Sequence, residues 1–129
     1  MRELKFRVWS EKQKTYDYKH PYNTLGNFYI NQNGCLFSDY GNAVTPEIRQ
    51  SDFVVEQYTG LKDKNGKEMF EGDIVRRCEE GGFNDIVGVI EWSEKSARFW
   101  VNHYYYPNGK NWVVIGNIHE NPELLGGKE

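Results

Sequence analysis

The chain of 129 residues is long enough for one compact domain with a real core, or for two small halves that share one. An aromatic share of 16% beside a hydrophobic share of 38% excludes a disordered chain, and the excess of Tyr, Trp and Phe favours sheets over helices. A net charge of −3 lacks the basic signature of a duplex-nucleic-acid binder, and no apolar run approaches the ~20 residues that span a bilayer.

Leu4, Phe6 and Val8 alternate with Lys5, Arg7 and Trp9, which predicts a strand with one buried face. Ser10 to Lys14 is a charged turn, and Tyr16 and Tyr18 fit a return strand. His20 to Asn27 is rich in turn residues. Phe28-Tyr29-Ile30 and Cys35-Leu36-Phe37 flank Asn33-Gly34, a hairpin signal because both turn residues tolerate positive φ. Ser38 to Gln50 reads as a polar connection, and a boundary is expected between Ser38 and Ser51. Within it, Thr45-Pro46-Glu47 predicts a short helix, with Thr as N-cap and Pro at the first helical position.

Phe53 to Tyr58 predicts a strand that ends where Gly60 lets the chain depart sharply, and Asn65-Gly66 predicts a tight turn. Ile74 to Cys78 is the next strand, and Gly81-Gly82 breaks the pattern. Ile86 to Trp92 is a long strand, Ser93 to Ala97 a turn and Arg98 to Val101 the return. Trp112 to Ile115 is the last strand, and Asn121-Pro122-Glu123-Leu124-Leu125 predicts a closing helix that Gly126-Gly127 stops. The apolar positions of these patterns, Phe6, Val8, Val55, Ile74, Val75, Val89, Ile90, Val114 and Ile115, are the expected core. The fold class is mainly β, with short hairpins and a short C-terminal helix. It divides into an N-terminal β-rich part, residues 1–52, and a C-terminal part, residues 53–129, of one compact unit.

The chemistry-bearing residues form no recognisable catalytic pattern. Asp63-Lys64-Asn65-Gly66 resembles a calcium loop only superficially: an EF-hand needs Gly at position six and a bidentate Glu at position twelve, whereas here Gly is fourth and Ile74 is twelfth. Cys35, Cys78, His20, His103 and His119 lack paired metal-ligand spacing. Asp73, Glu79, Glu80, Glu91 and Glu94 single out no acid–base pair, and Gly81-Gly82 lacks the Lys-Ser/Thr of a phosphate loop. The expectation is therefore no enzyme, no cofactor, no metal and no small-molecule substrate. Two distant cysteines and a start at Met-Arg-Glu-Leu-Lys without an apolar leader predict a cytosolic chain with reduced thiols.

One segment invites a functional reading. From Trp100 to Trp112, five aromatics (Trp100, Tyr104, Tyr105, Tyr106 and Trp112) flank a Pro-Asn-Gly turn. Alternation along strands sends some of them to solvent, where, beside Lys110, they can stack on unpaired bases or grip a protein. A cross-strand ladder that only stabilises a hairpin is the plain alternative. The N-terminus adds cations, Lys5 and Arg7 among them, which by themselves suit a solvated strand face.

The run Phe53-Val54-Val55-Glu56-Gln57-Tyr58-Thr59-Gly60-Leu61-Lys62-Asp63-Lys64-Asn65-Gly66-Lys67-Glu68-Met69-Phe70-Glu71-Gly72-Asp73-Ile74-Val75 closely resembles the signature of the YopX family of phage and prophage proteins. Lys5-Phe6-Arg7-Val8-Trp9, Gly88-Val89-Ile90-Glu91-Trp92 and the stretch from Val114 to Leu125 resemble further blocks of that family in the right order. The resemblance implies a β-rich fold with an SH3-like barrel in the C-terminal part, a phage or prophage origin and a bacterial cytoplasm. It implies no activity. Turn chemistry alone accounts for each special residue of the signature: Gly60, Asn65-Gly66 and Glu71-Gly72-Asp73, with Asp73 bonding nearby backbone N–H groups. The expected function is a non-enzymatic binding or adaptor module acting on another protein or on itself as a homo-oligomer, with no membrane partner. The alternative is a single-stranded nucleic-acid accessory binder using a barrel face, the aromatic loop and the basic N-terminus. The candidate contact residues are Lys5, Arg7, Tyr104, Tyr105, Tyr106 and Lys110.

Overall fold

The structure is a computed structural model that describes residues 3–16, 28–30, 32, 36–40, 43–45, 52–77, 86–108 and 110–126. The chain is mainly β. Its strands are β1 (Phe6–Ser10), β2 (Phe28–Ile30), β3 (Leu36–Tyr40), β4 (Ala43–Thr45), β5 (Phe53–Lys62), β6 (Glu68–Phe70), β7 (Asp73–Arg77), β8 (Ile86–Ser93), β9 (Arg98–Val101) and β10 (Trp112–Asn117), followed by the short helix α1 (Glu123–Gly126). They form sheets of order β1-β5-β6, β10-β7-β8-β9 and β2-β3-β4. The four-stranded sheet is open, with β10 and β9 at its edges, and does not close into a barrel. No described helix is long and apolar enough to cross a membrane.

Two compact units result, one of Met1–Phe6 with Glu56–Glu129 and one of Arg7–Val55. In the second unit, β2, β3 and β4 form an antiparallel meander, with Tyr29 opposite Phe37 and Asp39 opposite Val44. The hairpin expected around Asn33-Gly34 is therefore present, although those two residues lie outside the described ones. The polar connection expected from Ser38 onward instead holds the end of β3 and all of β4, where Thr45 pairs with Ser38, and the helix expected after Thr45 lies outside the described residues. Pro46 and Glu47 are outside the described residues, as are Tyr18, His20, Cys35, Cys78 and Gly81-Gly82. The turn after β1 closes through a bridge between Ser10 and Thr15. Trp9 is buried, packs edge-on against Tyr16 at 4.9 Å and donates its indole N–H to Glu11. This reverses the expected face of β1: Leu4 is 62% and Phe6 42% exposed. The indole has the largest apolar surface to remove from water, and it sets the phase.

In the first unit, Met69, Val75, Ile90, Val101 and Trp112 make the core, with Leu61, Ile86, Phe99, Tyr105 and Val114 packed against it. Of the expected core positions Ile74, Val75 and Ile90 are fully buried, and Val8, Val55, Val89 and Val114 are half-buried. Ile115, in contrast, is exposed, because the β10–β7 register slips between Val114 and Gly116 and leaves it as the extra residue of a bulge. A second register shift, between Tyr58 and Lys62, carries β5 past Gly60 (φ 90°) to Lys62, so the strand does not end at Gly60 as expected. The Leu61 N–H there bonds to the Thr59 hydroxyl.

The turn after β5 is organised by one carboxylate. Asp63 Oδ1 accepts the N–H groups of Asn65 at 2.8 Å and Lys67 at 2.9 Å, while Oδ2 accepts the N–H of Val114 at 2.9 Å. Lys64 N–H bonds to the Trp112 carbonyl, so the turn and β10 are tied at two points. Burial pushes the Asp63 carboxyl up, but the three backbone N–H bonds and the Lys67 charge outweigh it and hold the group below its ordinary value. Gly66 has φ 87° and open space where a Cβ would stand.

Two measurements check this reading of the turn. A Cβ at Gly66 meets nothing within 4 Å, so the cost of Gly66→Val is chiefly backbone strain, and a thermal melt should show a loss of ~1 kcal/mol or more. Asp63→Asn replaces an acceptor-only carboxylate with an amide that has one acceptor oxygen, and should cost ~2–3 kcal/mol at neutral pH. Because the folded-state pKa is depressed, the Asp63 contribution is present above the unfolded carboxylate value and lost as pH falls through the folded one. Denaturant titrations should therefore show the gap between wild type and Asp63→Asn shrinking in acid.

Candidate binding surface

The β8–β9 hairpin has two unlike faces. Ile90 pairs with Val101 and Trp92 with Phe99, so these four share a face. Ile90 and Val101 are buried in the core, whereas Trp92 is 45% exposed and packs edge-on against Phe99 at 5.0 Å. The opposite face carries Glu91 across from Trp100, and Arg98 across from the buried Ser93. On it the Arg98 guanidinium lies over the Trp100 ring at 5.5 Å, and the His103 ring meets Trp100 at 5.3 Å. His103 also lies 3.8 Å from the Glu91 carboxylate.

The chain leaves β9 through a tight turn rather than a longer strand pair. Asn102 and His103 adopt φ of 54° and 63°, and the Val101 and Tyr105 backbones exchange N–H···O bonds of 2.8 and 2.9 Å. The Asn102 amide donates to the Val87 carbonyl and sits where a Cβ on Gly88 would be, only 2.2 Å from its Oδ1. Tyr105 turns inward, 6.2 Å from the buried Trp112, with the Arg77 guanidinium over its ring at 4.9 Å. Pro107 is fully buried. Tyr104 and Tyr106 point out, 71% and 56% exposed, and Arg98 donates to the Tyr104 carbonyl at 3.2 Å. Tyr104 meets Tyr105 edge-on at 5.0 Å. Arg98, Trp100, His103 and Tyr104 thus form a connected surface beside Tyr106.

The candidate residues named from sequence separate accordingly. Tyr104, Tyr105 and Tyr106 share this loop, with Tyr105 partly buried against the core. Lys110 is exposed just beyond it, its N–H bonded to the Asn108 side chain. Lys5 is engaged elsewhere: its ammonium bonds to Glu68, lies 3.6 Å from Glu3 and stands 5.6 Å from the Tyr58 ring. The Glu68 bond holds Lys5 above its ordinary value. Arg7, in the other unit, covers the Tyr16 ring at 4.5 Å. Arg98 lies outside the aromatic segment that the sequence marks from Trp100 to Trp112; the β8–β9 register, which puts residues 98 and 100 on one face, joins it to that segment.

A second constellation was also unexpected. Glu56 is 3% exposed, and its Oε2 lies 2.9 Å from His119 Nε2. Gly72, with φ 86°, stands against that carboxylate so closely that a Cβ would come within 2.3 Å of Oε2. Gly72 also bonds through its N–H to the Ile90 carbonyl and through its own carbonyl to the Ile118 N–H. The neighbouring Glu71 accepts the Gln57 N–H at 2.8 Å. Burial pushes the Glu71 carboxyl up, the Gln57 bond opposes this, and the nearby Glu56 charge adds to it. Asp73, buried, accepts the Phe70 N–H at 2.8 Å, as its place in the signature predicts. Among the described residues no group of three or more His, Cys, Asp or Glu is arranged to hold a metal ion. The carboxylates and His119 here join turns to strands.

An open-sheeted, mainly β protein with tightly pinned turns and an exposed aromatic loop is the class these features define. The family described as "YopX protein" matches residues 5–126. The chain belongs to the YopX family. It is similar in fold to the yopX protein of Bacillus subtilis, with a TM-score of 0.63 at 20% identity over 100% of both chains. It is also similar to protein EF1440 from Enterococcus faecalis, with a TM-score of 0.59 at 29% identity over 95% of this chain and 98% of that one. No curated protein matches it in sequence.

The partly buried Glu71 carboxyl beside Gly72 gives a pH-dependent stability. A folded-state pKa raised above the unfolded one means that the Glu71 contribution is fully present below the unfolded carboxylate value and lost as pH rises through the folded one. Glu71→Gln keeps an acceptor for the Gln57 N–H and removes the charge. Its melting temperature should exceed wild type at neutral pH and converge on it near pH ~4.

Proposed function

We propose that this YopX-family protein is a non-enzymatic binding module, and that its working surface is the Arg98, Trp100, His103, Tyr104 and Tyr106 face of the first unit. The observation that carries the reading is the exposure of Tyr104 and Tyr106, at 71% and 56%, on a loop whose intervening Tyr105 and following Pro107 are anchored in the fold. Exposed aromatics on a fixed backbone offer contact area with little side-chain freedom to lose, a property of binding surfaces. In this reading the C-terminal strands act as an SH3-like platform within a phage- or prophage-encoded protein of a bacterial cytoplasm.

Side chains, rather than strand addition, make the contact. The outer edge of β10 is occupied where Trp112 accepts the Lys64 N–H and Val114 donates to Asp63. The outer edge of β9 is occupied where Val101 pairs with Tyr105. Capped edges of this kind resist pairing with a further strand. The net charge of −3 disfavours duplex nucleic acid and leaves a protein surface, a second copy of the chain or an unpaired strand as partner.

The test compares tagged wild type, the double variant Tyr104→Ala/Tyr106→Ala and the control Lys12→Ala, each expressed in bacteria and recovered with its bound material. Both variants should melt within ~0.5 kcal/mol of wild type, as exposed side chains do. Bound material should be lost from the tyrosine variant and kept by the control, with sedimentation of the purified chain reporting whether a second copy is the partner. Equal recovery from all three proteins rules the surface out.

A further inference from the structure

The whole-chain charge conceals a local one. From Lys95 to His119 there is no Asp or Glu, although the chain carries 19 acids in 129 residues. That stretch supplies Lys95, Arg98 and Lys110, and it is the stretch that holds Trp100, Tyr104 and Tyr106. The described acid on the same hairpin face is Glu91, and His103 stands 3.8 Å from it. The stretch that bears the exposed aromatics thus carries cations and no acid along its own sequence, on an acidic protein, with Glu91 facing it from β8.

Resting on the binding-surface reading above, we infer that this face takes single-stranded nucleic acid, with Tyr104 and Tyr106 as stacking platforms and Arg98 and Lys110 as phosphate contacts. Three features favour that partner. Tyr104 and Tyr106 are two residues apart with Tyr105 turned inward between them, so two rings project from one short stretch of backbone. Every base has a π-face, so two exposed rings bind unpaired bases without a sequence-specific pocket. Arg98 uses one N–H on the Tyr104 backbone carbonyl and lies over the Trp100 ring, which holds a five-donor guanidinium at the backbone that carries the first tyrosine. A duplex keeps its bases stacked on one another and offers these rings nothing to stack on. The charge of the rest of the chain limits non-specific attraction, so contact depends on the rings as well as the cations.

The experiment is fluorescence anisotropy of the full chain against fluorescein-labelled oligothymidine of about a dozen nucleotides, at ~50 and ~200 mM salt. Binding at the lower salt is expected, with a log–log salt slope near −1.4, about −0.7 for each of two phosphate contacts. Tyr104→Ala and Tyr106→Ala should each weaken binding about tenfold, while Tyr104→Phe and Tyr106→Phe retain it because the ring does the stacking. Lys110→Glu should flatten the slope, and duplex of the same length should bind more weakly. No binding at ~50 mM salt overturns the inference, as does duplex binding equal to single strand, or affinity that the alanine variants leave unchanged. If oligothymidine does not bind but tyrosine-dependent capture from cells survives nuclease treatment, the surface is a protein-binding one and only the nucleic-acid assignment fails. If capture is also indifferent to the tyrosines, both fail.

Discussion

The Asp63 carboxylate joins two parts of the chain that no strand ladder connects. A carboxylate 6% exposed is a liability unless it is bonded, since desolvation costs several kcal/mol per ion. Here three backbone N–H groups converge on its two oxygens, and bonds to a charged acceptor contribute about 1.5–3 kcal/mol each. The bonds win, which is why its pKa is depressed despite burial. Two of them shape the turn from Asp63 to Lys67 and so set the reversal of β5 into β6. The third reaches Val114, 51 residues away, and positions β10, the strand that carries the core residue Trp112. Local turn geometry and long-range packing in this unit thus depend on the same side chain.

The same economy recurs at the other turns, where side chains satisfy backbone groups that a ladder leaves unpaired. Asp73 accepts the Phe70 N–H, Glu71 the Gln57 N–H and Asn121 the Asn117 N–H, while Asn117 accepts from His119 and Glu120. Gly72 and Gly116 are small because Glu56 and Asn121 occupy the space where a Cβ would stand. The dense run of Gly, Asn, Asp and Glu from Glu56 to Asp73 is therefore accounted for by turns and by their docking onto neighbouring strands. Function has to be sought where residues are not used this way, and the aromatic loop is such a place.

Much of the fold was legible because the signals were local. Asn65-Gly66 announced its turn through the need for positive φ, and the strands from Ile74, Ile86, Arg98 and Trp112 were visible as apolar runs between turn residues. What escaped was set by tertiary context. Period-two alternation in β1 is compatible with either face, and only packing shows that Trp9 is the inward residue. Ile115 belongs to an apolar run, and no local pattern marks the bulge that exposes it. The calcium-loop spacing fails at Asp63 in the sequence itself, where Gly is fourth and Ile74 twelfth. The role of Asp63 as an acceptor of N–H groups depends partly on Val114, distant in sequence. At the candidate surface the three tyrosines were visible but their division of labour was not, since it follows from the Val101–Tyr105 bridge that turns the middle ring inward. Lys5 and Arg7 were grouped with that loop by charge alone, whereas their own neighbours, Glu68 and Tyr16, occupy them.

That division of labour bears on whether the loop is merely structural. A ladder whose task is stability places its rings against each other or against the core, because buried apolar area contributes about 25 cal/mol per Å² and exposed area contributes none. Tyr105 fits that description: it packs on the core beside Trp112 under the Arg77 guanidinium. Tyr104 meets Tyr105 edge-on, yet it and Tyr106 leave most of their surface to water, while the backbone between them is held by the Val101 bridge and the buried Pro107. Folding gains little from these two side chains, yet the turn fixes where they point. Left-handed φ values at Asn102 and His103 are conformations that non-glycine residues adopt rarely, so the turn is tolerated because surrounding contacts impose it. Two large rings left to solvent on a constrained backbone, close in sequence to cations rather than to acids, are the features on which the proposed recognition role rests. In the proposed function the core supplies the rigidity, and the contact falls to the tyrosines.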